Sequence, residues 1–142
     1  MTKTPVATKA AVAAAVGLAG FAVFQLLLAA GAPLGSAAWG GTHDGQLPTG
    51  LRVGSVFSVL VYVVAIAVIV RRVGLPPRWV PGSVARIGAW VVTVLLALGA
   101  LENFLSQSPW ERFLMAPGSL VLAGLCLVVV VRSPQEPAAA SG

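Results

Sequence analysis

VGSVFSVLVYVVAIAVIV, residues 53–70, is the stretch whose reading decides the fold. It holds no charged residue and no sustained alternation of apolar and polar positions. A buried strand typically runs about 4–8 residues, whereas a helix crossing a hydrocarbon core needs about 20, with a range of roughly 17–25. In lipid every backbone N–H and C=O must find its partner inside the segment, which a helix achieves and an isolated strand does not. The segment therefore reads as a membrane-spanning helix.

Working outward, the same reasoning finds three more spans. AAVAAAVGLAGFAVFQLLLAA covers residues 10–30. IGAWVVTVLLALGAL covers 87–101 and is predicted to continue through Phe104, and FLMAPGSLVLAGLCLVVVV covers 113–131. The connectors carry the expected breakers: GAPLG and WGGTHDGQLPTG, then GLPPRWVPG, then SQSPWER. Pro117 is predicted near the start of the fourth span, where a missing N–H costs little. The expected fold is all-α, an integral membrane four-helix bundle over residues 10–131. A cytoplasmic head over 1–9 and a disordered cytoplasmic tail over 132–142 flank it.

Composition agrees. Hydrophobic residues make up 58% of the 142-residue chain and charged residues 9%, where a soluble domain carries about 25% charged residues. So small a soluble domain has too little interior to hide that much apolar surface. The net charge of +5 does not point to nucleic acid, because the basic residues sit in short runs beside the apolar segments, with no basic helix interleaved with aromatics. They read instead as topogenic charges facing anionic lipid. With the N-terminus inside, Lys3, Lys9, Arg71, Arg72, Arg78, Arg86 and Arg132 all lie on the cytoplasmic side, against Arg52 and Arg112 outside. Inversion would reverse that ratio, so the rule of positive inner loops predicts both ends inside, in the plasma (inner) membrane. The first span is expected to be retained. Its apolar run is longer than the 7–15 residues of a secretory signal, and Pro33 directly follows the cleavage-like Ala30-Gly31-Ala32.

Polar residues gather toward the outer side. Gln25 lies near the outer end of span one, and Ser55, Ser58 and Tyr62 share one face of span two. Glu102 and Asn103 close span three on the outside, and Arg52, Glu111 and Arg112 stand at the outer boundary. A carboxylate at membrane depth is expensive and therefore a functional hypothesis. Glu102 is the leading candidate, with Arg52 or Arg112 as its partner; the plainer alternative is a solvated interfacial carboxylate. Glu111 and Arg112, beside Trp110, read most simply as wet interface anchors. Trp39, Trp79 and Trp90 fit the same aromatic belt.

His43 and Asp44 are adjacent on a glycine-rich loop, and His43 is the one histidine in the chain, so no metal site is expected. No cofactor motif is present. Cys126 stands alone in GLCLVVVV and reads as a small core or lipid-facing residue. Gly17 and Gly20, with Ala13, form a small-residue face suited to close helix packing within a bundle or between copies.

Two segments carry a resemblance. The first is Gly31-Ala32-Pro33-Leu34-Gly35, then Ala38-Trp39-Gly40-Gly41, Leu47-Pro48 and Leu51-Arg52. The second is Leu101-Glu102-Asn103-Phe104-Leu105-Ser106, then Ser108, Glu111-Arg112 and Pro117. Together, over roughly residues 20–131, the chain resembles a group of small four-helix membrane proteins of bacteria. The resemblance implies the four-span topology and no particular activity. The functional expectation is a non-enzymatic bundle with an outward-facing polar site built from Glu102, Asn103, Arg52, Glu111, Arg112, Gln25 and Ser58. Its partners would be the lipid bilayer, and either a second copy or another membrane protein. One alternative is an oligomeric subunit of a transporter or channel for protons or a small solute. A weaker one is a lipid-acting membrane enzyme with His43 or Glu102 as base.

Overall fold

The computed structural model describes residues 5–133; Lys3 and most of the expected tail lie outside the described residues. Four helices form the bundle: α1 (Pro5–Ala30), α2 (Thr49–Arg72), α3 (Gly82–Leu105) and α4 (Ala116–Arg132). Each is long and apolar enough to cross a membrane, the fourth when counted from Glu111. α1, α2 and α3 run further than the charge-free stretches alone, as does the fourth helix counted from Glu111. Pro5 fits the first turn of α1, and Arg71 and Arg72 complete the last turn of α2, where cations complement the helix dipole. Gly31 (φ +98°) ends α1 and Gly74 (φ +85°) follows α2. In both places the next N–H reaches back to close the helix, Ala32 to Leu27 O at 2.9 Å and Leu75 to Val70 O at 3.1 Å.

The fourth helix has one feature that its sequence reading does not predict. The chain turns helical at residue 109 and widens into a π-turn over Glu111–Met115, and Pro117 falls in the first turn of the α4 that follows, near its start as expected. A proline ring removes one N–H and crowds the carbonyl four residues back. The wider turn just before it relieves that conflict.

Packing is inverted relative to a water-soluble bundle. Alanines fill the interior, among them Ala11, Ala14, Ala89 and Ala116, all fully buried, while Val16, Phe57, Ile87, Leu105 and Phe113 project outward. Burying the small side chains and exposing the large ones forfeits the hydrophobic effect in water. In lipid it brings backbones together and gives up nothing. α1 packs on α2 and α4, and α3 packs on α4. Gly17 supplies one close approach, since a Cβ there would collide with Leu122 of α4, whereas Gly20 faces open space. Cys126 is fully buried in this core.

A second, smaller core of Leu28, Ala38 and Leu47 seats the long α1–α2 loop on one end of the bundle. The opposite end holds the short α2–α3 connector, pinned where Arg71 Nε donates to Val80 O at 3.0 Å. Asp44, Glu102 and Glu111 lie at the long-loop end; Arg71, Arg78, Arg86 and Arg132 lie at the other.

Candidate functional site

At the long-loop end the loop folds across the α3–α4 corner and is fastened there. Gly40 N–H donates to both carboxylate oxygens of Glu111, at 3.1 and 3.2 Å, and Ser106 Oγ donates to the same carboxylate. Ser108 Oγ donates to Ser36 O at 2.7 Å. Glu111 is only 8% exposed, so the reading of it as a wet interface anchor is corrected: it is the buried acceptor that holds the loop down. A hydrogen bond to an ionised acceptor is worth roughly twice a neutral one, and more where water is scarce.

Trp39 completes the fastening. Its φ of +52° is in the left-handed region, an outlier for a bulky side chain. That conformation lays the indole against Gly54 of α2, where an added Cβ would come within 3.0 Å of two ring atoms. The indole N–H donates to the fully buried Ser55 Oγ at 3.1 Å. Trp39 is thus a docking side chain as well as a partly exposed aromatic near the interface. The loop after α1 and the segment that joins α3 to α4 thus meet in this corner.

Beneath the loop a groove of about 1330 Å³ runs between α2 and α3, floored by Leu18 and Phe21 of α1, Met115 of the π-turn and Ser119 of α4. The two walls approach at the inner end, where Gly88 lies against Val68. From there to Glu102 the α3 wall advances 14 residues, about 21 Å of helix at 1.5 Å per residue. That is most of a hydrocarbon core of about 30 Å. The inner part is lined by Val64, Val68, Val91 and Leu95. Polar lining begins at mid-depth with Tyr62, which meets Phe21 edge to face at 5.9 Å, and ends at Glu102 and Glu111 at the mouth. The outer flanks are lipid-facing, as the exposure of Phe57, Leu60, Val91 and Leu95 shows. The groove therefore opens sideways.

Of the residues expected to form a polar site, Gln25, Ser58, Glu102, Asn103 and Glu111 all line this groove. Arg52 and Arg112 do not. Arg52 Nε donates to Ala29 O at 3.1 Å, and Arg112 Nη2 donates to Ser106 O at 3.0 Å. Both guanidinium groups thus serve carbonyls that a helix end leaves without an internal partner. Glu102 is exposed at the mouth, with no ion pair to either arginine. His43 Nδ1 pairs with the neighbouring Thr42 Oγ1 at 3.0 Å. No group of three or more potential metal ligands occurs among the described residues.

Four apolar helices enclosing a laterally open groove with a polar mouth define a small multi-pass helical membrane protein. No protein-family model, curated protein or solved structure matches the chain.

Proposed function

We propose that the chain is a non-enzymatic plasma-membrane protein of a bacterium, with both ends in the cytoplasm, that holds a membrane amphiphile in the α2–α3 groove. One observation carries the reading: the groove is apolar along its inner length and polar only from mid-depth to its mouth. That is the profile of a molecule with a hydrocarbon chain and a polar head. The volume exceeds the roughly 300–1,000 Å³ of a drug-sized pocket, and lateral opening lets the occupant enter from the bilayer. A transport role for a single chain has less support, because Val68 against Gly88 closes the inner end and no polar lining continues past it. The test is lipid analysis of protein purified in mild detergent. One equivalent of retained amphiphile is expected, and protein that carries none would overturn the proposal.

Orientation rests on charge. The short-connector end collects Lys9, Arg71, Arg72, Arg78, Arg86 and Arg132, and such clusters stay on the cytoplasmic side. In a Cys126→Ser background, a membrane-impermeant maleimide is expected to label Thr42→Cys in intact cells. It should label Arg78→Cys only after permeabilisation, and the reverse pattern would invert the protein.

A further inference from the structure

We infer that the occupant of the groove carries a protonated amine as its head group. The inference rests on the proposal that the groove holds an amphiphile, and concerns what the mouth selects. The lining contains two carboxylates, Glu102 and Glu111, and no lysine or arginine. Three of the donors around it are already engaged within the protein. Ser58 Oγ donates to Gly54 O at 3.1 Å, Trp39 Nε1 donates to Ser55 Oγ, and Ser106 Oγ donates to Glu111. Two of the acceptors are not. Gln25 Oε1 is buried without a hydrogen-bond partner, and Glu102 is exposed at the mouth. Asn103 and Tyr62 can serve either way.

A mouth with two carboxylates, no cation in its lining and two open acceptors is complementary to a cationic head group that donates. A primary ammonium brings three N–H groups and one positive charge, and so suits acceptors such as Glu102 and Gln25 Oε1. A buried acceptor left unmet carries a penalty that such a donor removes. The charge pair gains further from the weak screening at the edge of the hydrocarbon. An anionic head would meet like charge from two carboxylates with no cation in the lining to offset them. The chain of the same molecule would lie along Leu95 and Val91 toward Val68.

The experiment is native mass spectrometry of delipidated protein in non-ionic detergent, titrated with hexadecylammonium, hexadecanol and hexadecanoate. These share one chain and differ in the head. Hexadecylammonium is expected to bind one equivalent at least tenfold more tightly than hexadecanol, a difference of about 1.4 kcal/mol, with hexadecanoate weakest. Glu102→Gln should cut the preference for the amine to threefold or less with the thermal unfolding midpoint unchanged, and Glu102→Asp should retain most of it. Gly99→Trp, which fills the groove, should abolish binding of all three. Equal binding of the three probes in the wild type, all lost in Gly99→Trp, overturns the amine preference and leaves the groove proposal standing. An amine preference that survives Glu102→Gln also overturns the assignment. Binding that Gly99→Trp leaves untouched overturns the groove proposal itself.

Discussion

Replacing Glu111 with alanine is expected to destabilise the protein by about 3 kcal/mol and to free the α1–α2 loop from the bundle. The carboxylate is buried and accepts from Gly40 N–H through both oxygens and from Ser106 Oγ. A hydrogen bond to a charged group contributes about 1.5–3 kcal/mol net, and an unmet buried donor costs about 1–3 kcal/mol. The full sum is not expected, because the corner lies near the mouth and water can reach part of it once the loop lifts. Glu111→Gln keeps one acceptor oxygen and should lose roughly half as much. Thermal unfolding in detergent reads the stability, and hydrogen exchange at the Gly40 amide reads the loop. Unchanged protection at Gly40 in Glu111→Ala would show that something other than this carboxylate holds the loop. The same loop supplies Ala37, Ala38 and Gly40 to the groove mouth, so its release should also weaken retention of the amphiphile.

Gly99→Trp should have the opposite profile, with little change in stability and loss of the ligand. Gly99 lines the groove from the α3 wall, and a Cβ built there meets no atom within 4 Å. A side chain can therefore leave the α3 backbone toward the groove without a clash at its Cβ. Glycine is also the poorer residue inside a helix, by about 0.5–1 kcal/mol relative to alanine, so the backbone gains slightly. Retained amphiphile should fall from one equivalent to below a tenth, while Gly99→Ala keeps it. Full retention in Gly99→Trp would mean that the bound molecule lies elsewhere.

Glu111 also marks how far the sequence could be read. The four spans were legible because lipid imposes a length and a composition that few other structures share. Pro117 lies in the first turn of α4 as expected, but the π-turn over Glu111–Met115 that leads into it was not legible. At the site, the clustering of polar residues at one end was legible from their positions relative to the spans. Which carboxylate is buried was not. Glu102 and Glu111 are both acidic residues near a helix end, and the distinction arises because Gly40, 71 positions earlier in the chain, folds back onto Glu111. The glycine pair after Trp39 was the available signal, since successive residues able to adopt positive φ can turn a loop's N–H inward. Arg52 and Arg112 were expected to face Glu102, yet carbonyls at the ends of α1 and α3 are nearer and otherwise unmet. Gln25 stood out only as a polar residue in an apolar span; that its oxygen is buried without a partner depends on how α1 floors the groove.

The central claim is that the space between α2 and α3 belongs to a membrane amphiphile, and an experimental structure in a lipid nanodisc tests it most directly. Continuous non-protein density is expected along α3 from Glu102 toward Gly88, about 20 Å at the rise of an α-helix, with its polar end within hydrogen-bonding reach of Gln25 and Glu102. α3 closed onto α2, with Leu95 packed against Val61 and no room for a chain between them, would contradict it.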